Sequence, residues 1–119
     1  MAGREPALTT HVLNTAEGIP GVGIPVQLWR LEPAPVLITE TVTNADGRTD
    51  APLMRGEGFV EGVYELRFAI GAYFSARGAG PAEPFLDVVP LRVSLKPGGG
   101  HYHVPLLCSP WSYSTYRGS

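Results

Sequence analysis

Hydrophobic and polar residues alternate with a period of two in several stretches of this chain. In residues 63–70, Tyr64, Leu66, Phe68 and Ile70 fall on one side, and Glu65 and Arg67 on the other. In residues 88–95, Val89, Leu91, Val93 and Leu95 alternate with Pro90, Arg92 and Ser94. Such a period belongs to strands with one face buried and one face wet. Residues 36–43 are rich in β-branched side chains, with Thr39, Thr41 and Thr43 sharing a face. Residues 25–32 and 8–13 carry weaker versions of the pattern. Residues 72–77, Ala-Tyr-Phe-Ser-Ala-Arg, form the one predicted helix, a turn or two long.

The connections are also readable. Fifteen glycines and 12 prolines punctuate the 119 residues every few positions, which favours many short strands over long helices. Asn44-Ala45-Asp46-Gly47 is a turn sequence, with Gly47 free to take positive φ. Pro97-Gly98-Gly99-Gly100 reads as a hairpin loop between the strand at 88–95 and a strand at His101. Gly18-Ile19-Pro20-Gly21 ends the first strand. Seven or eight short strands separated by turns imply an all-β, two-sheet antiparallel sandwich.

A length of 119 residues suits a single domain spanning 1–119, with residues 1–6 as a flexible N-terminal extension. Hydrophobic residues at 44% and charged residues at 17% mark a globular chain. A net charge of −2 gives no pull toward nucleic acid. No apolar run approaches the roughly 18–20 residues of a membrane span, and residues 1–6 have no apolar core suited to a secretory leader. The single cysteine, Cys108, excludes an internal disulfide framework and suits a reducing compartment, so the expected location is cytoplasmic.

Candidate chemistry is sparse. The chain has three histidines, His11, His101 and His103, and histidine is the side chain best suited to moving protons near neutral pH. Taken alone, an exposed strand histidine is more often inert than catalytic. Arg48, just after the turn, reads by itself as an ordinary surface arginine. His101 and His103 are two residues apart, so on a strand they share a face. They could chelate a metal, but no carboxylate or cysteine lies nearby at ligand spacing, and no metal or other cofactor is expected. No serine–histidine–aspartate elbow or phosphate-binding glycine loop is present. Trp29 and Trp111 are assigned to packing or interfaces.

The last 19 residues, from His101 to Ser119, are unusually dense, with three tyrosines, a tryptophan, two histidines and an arginine. Chain ends are ordinarily bland and frayed. This run, closing on Tyr116-Arg117-Gly118-Ser119, resembles the C-terminal signature of the 5-hydroxyisourate hydrolase branch of the transthyretin-related family. His11-Val12-Leu13-Asn14-Thr15-Ala16-Glu17-Gly18-Ile19-Pro20-Gly21, continuing to Ile24 and Val26, is similar to the family's N-terminal signature. One departure is Cys108, where the family usually has leucine; a cysteine is a small hydrophobe, so this touches packing and not chemistry.

The resemblance implies a two-sheet, eight-strand sandwich with one short helix after the fifth strand. It makes His11 and His103 the catalytic histidines and Arg48, in Asp46-Gly47-Arg48, the catalytic arginine. It implies a tail that folds into the substrate pocket, making Tyr116, Arg117, Gly118 and Ser119 substrate-binding, with Arg117 a second cation beside Arg48. Gly118 would let backbone pass close to the ligand. His101 matches no catalytic position. The implied reaction is hydrolysis of 5-hydroxyisourate to 2-oxo-4-hydroxy-4-carboxy-5-ureidoimidazoline, with either histidine as the base. The implied assembly is a homotetramer, a dimer of dimers with sites between dimers. A transthyretin-like hormone carrier is the alternative; it shares the sandwich but lacks the His/Arg/His set and the Tyr-Arg-Gly-Ser end.

Overall fold

The computed structural model describes residues 5–118. Ser119 and most of the expected N-terminal extension lie outside the described residues. The last two residues of that extension are anchored: the Glu5 carboxylate meets Arg55 at 3.2 Å, and the Pro6 carbonyl accepts the Gly56 N–H at 2.9 Å.

In chain order the strands are β1 (Ala7–Thr9), β2 (Val12–Asn14), β3 (Ile19–Pro20), β4 (Pro25–Arg30), β5 (Val36–Val42), β6 (Met54–Arg55) and β7 (Gly62–Ala69), then β8 (Val88–Leu95), β9 (His101–His103), β10 (Leu106–Cys108) and β11 (Tyr113–Thr115). Among the described residues a single α-helix, α1 (Ile70–Ala76), follows β7 directly. It begins two residues before the predicted start, because Ile70 turns into the core as the first helical residue.

One sheet, in the order β5-β4-β7-β8, is antiparallel throughout. The other is built from β6-β1-β9 and β11-β10-β2-β3. β1 and β2 are two segments of one run, and so are β9 and β10. The break in the second run falls at Pro105, which has no N–H to give to the ladder. The two runs pair in parallel, β1 with β9 and β2 with β10. The sandwich is therefore as predicted, but its second sheet is mixed. The 97–100 loop is not a hairpin: β8 lies in one sheet and β9 in the other, so the loop carries the chain across the sandwich. Alternation marks residues as strand but does not choose the partner. Ile19–Pro20, expected only as the end of a strand, folds back to pair with β2.

The core lies between the sheets. Leu8 and Val12 from the first run, Val26 and Leu28 from β4, Tyr64, Leu66 and Phe68 from β7, Val89 and Leu91 from β8 and Leu106 from β10 are all buried. Cys108 is fully buried among them, its Sγ 3.6 Å from the Leu13 carbonyl, and burial pushes its thiol up to about 12. It acts as the small hydrophobe the sequence suggests. On the outer face of the first sheet Glu65 meets Arg67 at 2.8 Å and Arg92 at 3.2 Å, while Arg67 stacks over Trp29. Trp111 is exposed and stacks on Phe85.

Candidate active site

The site face follows from the two-residue period of the first and penultimate runs. Leu8, Thr10, Val12 and Asn14 point inward and are buried, so Thr9 and His11 point outward. Tyr102 and Val104 pack inward, so His101 and His103 point outward as well. The parallel register sets Thr9 beside His103 and Ala7 beside His101. Residues almost a chain length apart thus share one outer face.

Arg48 is delivered to this face by the 44–47 turn. The Asn44 side-chain carbonyl accepts the N–H groups of Asp46 and Arg48, at 2.9 and 3.2 Å, closing an Asx turn. The Gly47 carbonyl accepts the Val12 N–H at 2.7 Å, and Arg48 forms a β-bridge with His11. Gly47 has φ 77°, and a side chain there would run into the Val12 carbonyl. Gly47→Ala is expected to destabilise the fold by about 1–3 kcal/mol, the scale of forcing a non-glycine into that conformation with a clash. Denaturant titration checks this; a loss under half a kilocalorie would show that the turn gives way.

The hydrogen bonds fix part of the protonation pattern. His11 Nε2 lies 2.8 Å from the Asp46 carbonyl, which can only accept, so Nε2 carries the proton. In the neutral ring Nδ1 then holds the lone pair. The Thr9 hydroxyl sits between two rings, 2.8 Å from His103 Nδ1 and 2.9 Å from His101 Nε2. His103 is half-buried, and desolvation pushes its pKa below the ordinary histidine value; the Arg48 guanidinium pushes the same way, as does any charge on the nearby His11 and His101 rings. It is therefore neutral and able to accept a proton at neutral pH. Arg48 and His101 also border a shallow depression of about 230 Å³ with Thr9, Thr10 and Thr49.

The tail reaches this face at Gly118. His103 and Gly118 form a β-bridge, with the Gly118 N–H on the His103 carbonyl at 2.6 Å and the His103 N–H on the Gly118 carbonyl at 3.3 Å. A Cβ at Gly118 would lie 3.1 Å from His103 Cβ and 3.3 Å from its ring Cδ2. The close approach that favours glycine here is to the His103 side chain. Arg117 is placed differently from the sequence expectation. Its guanidinium lies 4.3 Å over the Tyr102 ring and donates to the carbonyls of Gly99 (3.0 Å) and His101 (3.4 Å). Tyr102 points away from the imidazoles, so this cation is engaged across β9 from them rather than beside Arg48. Tyr116 is exposed and borders an apolar cavity of about 290 Å³ with Val93, Leu95 and Tyr102.

The structure thus gathers His11, Arg48, His103 and Gly118, and adds two residues. His101, which matches no catalytic position but shares a face with His103, is linked to it through the Thr9 hydroxyl, and Thr9 was not anticipated. Thr9 sits two residues before His11, so the shared face was legible, but its partners depend on the β1–β9 pairing. Among the described residues no group of three or more histidine, cysteine or acidic side chains is arranged to hold a metal ion.

The sandwich and the outward cluster define the class: the chain belongs to the HIUase/Transthyretin family, whose profile matches residues 8–118. A 5-hydroxyisourate hydrolase of Deinococcus radiodurans is 54% identical over 115 residues, 96% of this chain and 97% of that protein. The structure of Klebsiella pneumoniae 5-hydroxyisourate hydrolase superposes with a TM-score of 0.80 at 33% identity, covering 96% of this chain and 99% of that one. Sea bream transthyretin in complex with thyroxine superposes with a TM-score of 0.84 at 28% identity, covering 94% of each chain. The hydrolase and the thyroxine-bound transthyretin share the fold, so the fold alone does not choose between them.

Proposed function

We propose that this chain hydrolyses 5-hydroxyisourate to 2-oxo-4-hydroxy-4-carboxy-5-ureidoimidazoline. The observation that carries the reading is the cluster of His11, Arg48 and His103 on one outer face, with the Gly118 backbone against His103. A carrier of hydrophobic hormones has no need of a neutral, cation-flanked imidazole.

The reaction adds water to a ring amide carbonyl and opens the C–N bond. His103, neutral because burial and the Arg48 guanidinium disfavour the imidazolium, takes the water's proton as oxygen attacks carbon. Arg48 stabilises the charge that develops on the carbonyl oxygen, a task suited to a permanently charged, planar donor. His11, whose Nε2–H is held by the Asp46 carbonyl, keeps its Nδ1 lone pair for the water or substrate. The proton held by His103 then goes to the departing ring nitrogen. No cofactor enters these steps.

The chain works as a homotetramer, a dimer of dimers. β8 and β11 support this: both are edge strands with open ladders, and each exposes apolar side chains, Val88 and Tyr113. Among the described residues no helix is long and apolar enough to cross a membrane, and an unpaired, buried cysteine supports a cytoplasmic setting.

The test is the decay of freshly made 5-hydroxyisourate with and without the protein, beside a thyroxine-binding titration. Accelerated, saturable decay is expected; no acceleration together with tight thyroxine binding would reverse the assignment. The pH dependence follows from the sign of the His103 shift. The base form is active, so the acid limb of kcat should lie below the ordinary histidine value of about 6.5. Arg48→Gln removes a positive neighbour and should move the His103 titration, followed by NMR, to higher pH. A shift the other way would show that Arg48 does not act on this ring.

A further inference from the structure

His103 can serve as a base at Nε2 only if its proton sits on Nδ1, and Nδ1 faces the Thr9 hydroxyl at 2.8 Å. Which nitrogen of a histidine is protonated is set by the hydrogen bond the other one makes. A hydroxyl has one proton to give. If Thr9 donates to His103 Nδ1, that nitrogen must be bare, the proton is on Nε2, and the base is lost. If Thr9 donates instead to His101 Nε2, 2.9 Å away, its oxygen accepts the His103 Nδ1–H and Nε2 keeps its lone pair. Thr9 Oγ1 has no other hydrogen-bond partner among the described residues, so the two imidazoles compete for one proton.

We propose that Thr9 is a positioning residue for the hydrolysis, coupling the two rings in one directed chain, His103 Nδ1–H to Thr9 Oγ1 and Thr9 O–H to His101 Nε2. His101 supplies the acceptor that turns the hydroxyl away from His103. During attack the water's O–H bond breaks, its proton joins His103 Nε2, and the new C–O bond forms, while Nδ1–H stays on Thr9. When the C–N bond breaks, the Nε2 proton passes to the leaving nitrogen and the lone pair returns. A His101 protonated at Nε2 offers the hydroxyl proton no acceptor, which frees the hydroxyl to point at His103 and favours the tautomer that lacks the base. The charged and titratable groups acting on His103 are Arg48, His11 and His101.

The mechanistic part rests on the hydrolase reading, but the tautomer can be measured without substrate. The ring nitrogens of His103 in the ¹⁵N-labelled wild-type protein at pH 7.5 should show Nδ1 protonated and Nε2 bare. In Thr9→Val, which keeps the shape and removes the hydroxyl, Nε2–H should gain population. kcat should fall about tenfold or more with KM within about twofold, a modest share of what a wrong tautomer can cost, and Thr9→Ser should restore most of it. His101→Ala should cost a similar factor alone and almost nothing further in the Thr9→Val background. A wild-type spectrum with His103 protonated at Nε2, or a folded Thr9→Val enzyme with unchanged kcat, would overturn the proposal. The expected tautomer in a protein inactive on 5-hydroxyisourate would support the coupling and count against the activity alone.

Discussion

Replacing His103 by alanine should cut turnover of 5-hydroxyisourate about a hundredfold or more while leaving the fold intact, and His11→Ala and Arg48→Ala should do the same. A hundredfold loss corresponds to about 2.7 kcal/mol of barrier, the scale of removing a general base or an oxyanion donor. The fold should survive because these side chains lie on the outer face of the second sheet. His103 is held in place by backbone pairing with β1 and Gly118, which alanine preserves. Among the described residues the His11 side chain hydrogen-bonds only to the Asp46 carbonyl, which water can satisfy at an exposed position. The three variants should differ in detail. His103→Ala should change the pH profile, since it removes the ring that sets the acid limb. Arg48→Ala should lower the rate and also raise the pKa of the remaining His103. Circular dichroism and thermal melting alongside initial rates separate lost chemistry from lost fold. Near-normal activity in any two of the three would remove the mechanism.

Deleting residues 116–119 should leave a folded protein with most of its activity gone. The β10–β11 pairing ends at Thr115, so deletion spares the strand. It removes the Gly118 bridge to His103 and the Arg117 contacts to Tyr102, Gly99 and His101. The backbone of β9 would then lose a hydrogen-bond partner on each side of the base, and the imidazole would lose the surface it rests against. Gly118→Ala tests the same idea with one methyl group. At 3.1 and 3.3 Å from His103 the added carbon is too close for ordinary contact, so either the tail lifts or the ring turns. A kcat loss of about tenfold is expected, since small misplacements of a catalytic group are costly. Arg117 enters as a control. Because its guanidinium stacks on Tyr102, Arg117→Lys should not restore what Arg117→Ala loses, as an ammonium does not reproduce a stacked, forked contact. Rates measured on each variant after its oligomeric state is checked decide the matter. Full activity in the deletion would show that the tail is no part of the site.

The sequence by itself determined the long strands at 63–69 and 88–95 and which side of each faces in. Tyr64, Leu66, Phe68, Val89, Leu91 and Leu95 are buried as their alternation requires, because a period of two leaves only one way to hide them. It also determined the turn before Arg48, since Asn44 and Gly47 are the residues an Asx turn with positive φ demands. Resemblance to a known family, rather than pattern, singled out His11, Arg48 and His103.

What only the tertiary structure decided is who sits beside whom. The 97–100 loop has the composition of a hairpin turn, yet it crosses between sheets, because the burial of Tyr102 and Val104 is met by pairing β9 with β1 and not with β8. That parallel pairing of the chain's two ends sets Thr9 between His101 and His103, a link across 92 and 94 residues that no local pattern encodes. The tail is a second case. Arg117 and Gly118 are adjacent in sequence, but extended backbone sends successive side chains to opposite sides, so Gly118 meets the imidazole and Arg117 meets Tyr102. Alternation fixes a residue's face, while long-range strand pairing fixes its neighbours, and the chemistry of this site depends on the neighbours.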